Sequence, residues 1–78
     1  MLDMHKITSL SIQAARVENG YTQEAIAEKL GISRDRYNRL ENGKEEMKPY
    51  FIYALAYIFQ LDADLLRVPE LTMQDSTL

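Results

Sequence analysis

Apolar positions recur at helical spacing through most of the chain. Ile12 and Ala15, then Ile26, Ala27 and Leu30, then Tyr37 and Leu40, then Ile52, Leu55, Ala56 and Phe59 each fall on one side of a helix. The residues between these stripes are those of helix ends. Ser9 or Ser11 N-caps a first helix, which Asn19-Gly20 closes. Thr22 caps a second helix that Gly31 stops, and Ser33 caps a third, Arg34 to Glu41, that ends at Asn42-Gly43. In each case a side-chain oxygen meets an orphaned N–H, and a glycine supplies the left-handed turn. Pro49 opens a fourth helix as a first-turn proline. Asp62 caps a short fifth helix over Ala63 to Leu66, ended by Pro69. No segment alternates with the period of a strand, so the expected fold is all-α, a compact five-helix bundle. Residues 1–10 read as a loosely ordered lead-in, 11–67 as the domain and 68–78 as a tail, of which Pro69 to Leu78 reads as disordered rather than as a dimer arm.

The second and third helices, joined tightly at Gly31, have the layout of a helix-turn-helix, whose second helix is shaped for a DNA major groove. Projecting residues 34–41 onto a helix separates two faces. Tyr37 and Leu40 point inward, with Glu41 on their flank. Arg34, Asp35, Asn38 and Arg39 point outward, and Arg36 lies at the edge of that face. The outward set suits base edges: arginine bonds guanine O6 and N7, asparagine bonds adenine N6 and N7, and aspartate accepts from cytosine N4. A solvated charged face is the bland alternative, and the flanking motif is what argues against it. Asp35 has two readings. It accepts from a base, or, four residues before Arg39, it forms an ion pair that orients that guanidinium.

The blocks Thr22-Gln23, Leu30-Gly31-Ile32-Ser33 and Leu40-Glu41-Asn42-Gly43-Lys44, with Arg16, Gly20, Ala27 and Leu55-Ala56, stand at fixed mutual spacing. By these residues the chain resembles the lambda-repressor and Cro type of helix-turn-helix, over roughly Ser11 to Leu66. The resemblance implies a recognition helix over Ser33 to Arg39. It implies phosphate contacts from Gln23 (with a base contact at times), Asn42 and Lys44, to which Ser33 and Arg36 are added as positioning residues. It also implies a structural salt bridge between Arg16 and Glu41. Three features depart from the family pattern. Glu45 and Glu46 follow Lys44 and should repel phosphates if their loop lies on DNA. Tyr37 replaces an inward aliphatic residue, and its hydroxyl needs a partner. Gln60 replaces the glycine that usually ends the fourth helix, so that end runs on or caps differently.

The fourth helix, PYFIYALAYIF, has ten consecutive apolar or aromatic residues after Pro49. Ten residues cannot span a bilayer, and one core-facing side leaves the rest to be covered. Tyr50, Ala54, Tyr57 and Ile58 fall outside, with Phe51 and Tyr53 on the borders. An exposed tyrosine-rich face is typical of an interface, so a homodimer through it is expected; the competing explanation is a tail that folds back over it.

Composition limits the rest. Seventy-eight residues make one domain with a marginal core, which dimerisation would offset. No cysteine is present, which excludes disulfides and thiolate metal sites and fits a cytoplasmic address. No long apolar run marks a membrane span or a secretory leader. The net charge is −3, yet residues 33–48 carry five Lys/Arg against four Asp/Glu, while residues 49–78 carry one against four. The acidity sits away from the reading helix, and non-specific DNA affinity should be weak. His5 is isolated, the methionines are scattered, and no nucleophile, paired carboxylate or glycine-rich phosphate loop stands out. No metal, cofactor, small-molecule ligand or catalytic activity is therefore expected. The expected function is sequence-specific double-stranded DNA binding as a repressor-type transcriptional regulator, a homodimer on a palindrome. The alternative is a protein-interaction or antitoxin-like module on the same fold.

Overall fold

The structure is a computed structural model and describes residues 9–72. A two-residue strand β1 (Leu10–Ser11) leads into four helices: α1 (Ile12–Glu18), α2 (Gln23–Leu30), α3 (Arg34–Glu41) and α4 (Pro49–Phe59). One 3-10 turn (Ala63–Leu65) and a second two-residue strand, β2 (Leu66–Arg67), follow. The domain is mostly helical, with four α-helices where five were expected from the sequence. Ala63 to Leu66 does not form the fifth. The Asp62 side chain makes no cap hydrogen bond, and Leu65 N–H reaches only to the Asp62 carbonyl, so a single tight turn forms before the chain extends.

To the expected helical fold the structure adds one short strand pair, β1 with β2, that the sequence did not lead one to expect. Leu10 stands opposite Leu66 and Ser11 opposite Arg67, in parallel. A parallel pair needs a long crossover, and here all four helices supply it. Arg67 Nη1 also donates to Ser9 Oγ at 3.0 Å, which adds a second tie between the two ends of the domain. Ser11, not Ser9, is the N-cap of α1: its Oγ accepts from Ala14 N–H at 3.0 Å.

The core gathers Ile12 and Ala15, Ile26 and Ala27, Tyr37 and Leu40, five residues of α4, Met47 from the loop before it and Leu66 from β2. Phe51, placed on the border of α4 from sequence, is buried, and Tyr53, placed beside it, is exposed. Gln60 resolves the question of how α4 ends: it takes the left-handed conformation itself, at φ 58°. The described part of the tail, residues 68–72, does not cover the outer face of α4. It crosses to the loop after α3, where Thr72 N–H donates to the Gly43 carbonyl at 2.6 Å. Gly43 is required there twice, by a φ of +75° and because a Cβ would collide with the carbonyl oxygen of Glu70. The disorder expected for Pro69 to Leu78 is thus not seen over 69–72, and residues 73–78, like lead-in residues 1–8 and His5 among them, lie outside the described residues.

Candidate nucleic-acid interface

Local chemistry sets the frame of the site. Thr22 Oγ1 accepts from Ala25 N–H and Ser33 Oγ from Arg36 N–H, each at 3.0 Å, which starts α2 and α3 where their caps fall. Gly31 turns the chain between them at φ +75°. Helices α2 and α3 then pack on each other, with Gln23 at the start of one beside the middle of the other.

Arg16, Gln23, Tyr37 and Glu41 meet beneath the outer face. Arg16 Nε lies 2.8 Å from Glu41 Oε2, and Nη2 donates to Oε1 at 3.2 Å, a two-pronged pair whose side chains are 12% and 2% exposed. The remaining guanidinium donor Nη1 reaches the Tyr21 carbonyl at 2.9 Å. Tyr37 hydroxyl, the buried group in need of a partner, donates to Glu41 Oε2 at 2.7 Å. Gln23 Nε2 donates to Glu41 Oε1 at 2.8 Å, and Asn38 Nδ2 donates to Gln23 Oε1 at 3.1 Å. Burial alone would raise the Glu41 carboxyl, but hydrogen bonds from Arg16, Tyr37 and Gln23 outweigh it and hold its pKa below the usual value. Burial, then the bond to Glu41, pushes the Tyr37 phenol far up. Among the described residues no buried side-chain polar atom lacks a partner.

This network reaches the surface through Gln23. A carboxylate accepts and cannot donate, so Gln23 must turn its NH2 to Glu41 and its carbonyl to Asn38. That fixes the Asn38 amide in turn. One Asn38 N–H is used, while the other N–H and Oδ1 remain free, which is the donor–acceptor pair an adenine edge needs.

The outer face of α3 carries Arg34, Asp35 and Arg39 exposed and Asn38 half-buried. Ser33, Asn42 and Lys44 are exposed around it. The Asp35–Arg39 pair considered from sequence does not form. Arg39 Nε lies 3.7 Å from Glu45 Oε1 instead. Arg36 is held more closely: its Nε and Nη2 both stand 2.9 Å from Glu45 Oε2, and its guanidinium lies 5.4 Å from the Phe51 ring centroid. Among the described residues Glu46 pairs only with Lys48, at 3.3 Å. Sequence reasoning treated Glu45 as a charge facing phosphates and missed that it folds back on α3; no spacing rule links a loop residue to a helix face nine positions earlier.

Residues 12–66 match the helix-turn-helix family in a comparison with protein-family models. The chain belongs to the lambda-repressor-like helix-turn-helix family. No curated protein and no solved structure matches it at the level of similarity required. In this helix-turn-helix protein α2 and α3 are the two helices of the motif. Members of the family are DNA-binding regulators rather than enzymes, and the domain indicates a DNA-binding transcription regulator. Among the described residues no helix is long and apolar enough to cross a membrane.

On α4, Tyr50, Tyr53 and Tyr57 are 62%, 66% and 85% exposed. Ala54 and Ile58 are half-buried between them and the core, and Ile58 packs against it.

Proposed function

We propose that the protein is a repressor-type regulator that binds a palindromic operator as a homodimer. Helix α3 enters the major groove. Arg34 and Arg39 meet guanine edges and Asn38 meets an adenine edge, while Asp35, free of Arg39, is left to accept from a cytosine. Gln23, Ser33, Asn42 and Lys44 position the helix through phosphates. Tyr50, Ala54, Tyr57 and Ile58 pair two subunits, so that the half-sites fall about one helical turn, ~34 Å, apart. The observation that carries this reading is the Asn38 amide, oriented from below through Gln23 by buried Glu41 and still able to bond a base twice. Groups preset at a surface in this way recognise a ligand at lower entropic cost than free side chains.

Selection from random duplex DNA at physiological salt tests the proposal, with a recovered palindromic motif as the expected outcome. One observation favours a second reading. Three tyrosines of α4 stand exposed, and a protein-interaction module would use that face on a different protein. Absence of any enriched motif, together with a tight protein partner whose binding is lost on changing Tyr53 or Tyr57, would establish that alternative.

A further inference from the structure

Helix α3 has three arginines, but they are not equally free. Arg34 is exposed and carries no ion pair among the described residues. Arg36 is gripped from two sides, by Glu45 Oε2 at 2.9 Å and by the ring of Phe51. Arg39 is more than half exposed and has the second oxygen of the same carboxylate 3.7 Å from its Nε. One loop carboxylate therefore spans two cations on the helix that would enter the groove.

Building on the DNA-binding reading, we propose that Glu45 is a specificity-determining positioning residue, which withholds Arg36 from phosphates and presets Arg39 for a base edge. Binding to arbitrary DNA comes from cations that neutralise phosphates, and each one withheld removes about 0.9 from the salt slope. A guanidinium held against a carboxylate and an aromatic ring is lost to that inventory, because a phosphate must displace both partners. Operator binding suffers less, since it draws on base contacts, and Arg39 gives up less side-chain freedom when its starting position is already set. Glu46 provides an internal control. It bears the same charge one residue later in the same loop but, among the described residues, pairs only with exposed Lys48.

The experiment compares the full chain with Glu45→Gln, Glu45→Asp and Glu46→Gln, by fluorescence anisotropy on the selected operator and on random duplex across a salt series. Glu45→Gln is expected to tighten random-duplex binding roughly 3–10-fold and to steepen its salt slope by about one unit. The operator-to-random ratio should fall by a similar factor. Glu45→Asp keeps the charge but not the reach, so it should move the same way; Glu46→Gln should change random binding less than about twofold. Equal effects of Glu45→Gln and Glu46→Gln, or wild-type behaviour in Glu45→Asp, would mean that bulk charge acts and overturn the proposal. Protection of the Arg36 Nε–H from solvent exchange, followed by NMR, reads the grip without DNA and should be lost in Glu45→Gln. Unchanged exchange overturns the grip alone. Failure of the wild-type chain to bind any duplex overturns the DNA reading and this inference with it.

Discussion

Helices α3 and α4 rest on the same core, α3 through Tyr37, Leu40 and Glu41, and α4 through Phe51, Ile52, Leu55, Ala56 and Phe59. Their outer faces differ. On α3 a network that starts at buried Glu41 runs outward through Gln23 to Asn38, and Glu45 holds two of its arginines. On α4 three tyrosines stand in solvent. A polar face is arranged in advance because each donor and acceptor restricts the next. An apolar face has no directional partner, so its arrangement is left to whatever covers it. In the function proposed, the first serves as a surface that reads a defined ligand and the second as one that associates.

The strongest way to break this comparison is to remove the root of the α3 network. Glu41→Ala leaves Arg16 buried without its carboxylate and strands the Tyr37 hydroxyl. The cost should be about 3–5 kcal/mol, a large fraction of the stability of so small a domain. Urea unfolding measures it, and a loss under about 1 kcal/mol would show that the network is not the structural root described above. The pH profile gives the same test without mutation. The Glu41 pKa is lowered on folding, so its stabilisation is present above the ordinary value of 4.5 and is lost as pH falls from there toward the folded value. Tyr37 has the opposite sign: its pKa is raised, so its contribution is present below 10.0 and is lost as pH rises above it. Glu41→Gln should flatten the acid limb, and an unaltered limb would assign acid unfolding to other groups.

Next in size is the surface of α3. Arg39→Ala should cost about 1–3 kcal/mol on the selected operator and relax preference at one base pair. Equal losses on operator and random duplex would instead make Arg39 a phosphate contact. Lys44→Ala supplies the contrast, with uniform weakening and a salt slope flatter by about one unit.

The aromatic face of α4 should respond in association rather than in stability. Tyr57→Gln is expected to weaken the dimer at least about tenfold, or about 1.4 kcal/mol, while monomer stability changes by less than about 0.5 kcal/mol. Sedimentation equilibrium reads the first and thermal unfolding the second. A wild-type chain that stays monomeric at about tens of micromolar, far above a typical specific dissociation constant, would leave this face without its proposed partner.

What could be read from the sequence follows the same division. Thr22, Ser33 and Gly31 announced α2, α3 and the turn because caps act within three or four residues of themselves. The inward faces were legible because the helical period repeats. Long-range pairing was not. Leu10 and Leu66 lie four helices apart, and two-residue strands leave no alternation to detect. Glu45 was seen as a charge but not as a clamp, since its partners are fixed by how the loop folds back on α3. Met47 passed as one scattered methionine, although it closes the core before α4.

The smallest expected effect lies at the far end of α4 and sharpens the contrast between the helix ends. The chain turns left-handed after α3 at Gly43, where no side chain is strained. After α4 it does so at Gln60, with φ 58° and ψ 47°, the one non-glycine residue at positive φ among the described residues. The turn is kept because Leu61 N–H reaches the Ala56 carbonyl at 2.9 Å and Gln60 N–H caps the last turn of α4. An L-residue there costs roughly 1–2 kcal/mol, and glycine removes that cost but adds about 0.5–1 kcal/mol of chain entropy to the unfolded state. Gln60→Gly should therefore stabilise the domain by about 0.5–1 kcal/mol, read by thermal unfolding. Gln60→Ala removes the same exposed side chain without relieving the backbone and should give no gain. If alanine matched glycine, the benefit would come from losing the glutamine side chain, and the end of α4 would be as relaxed as that of α3.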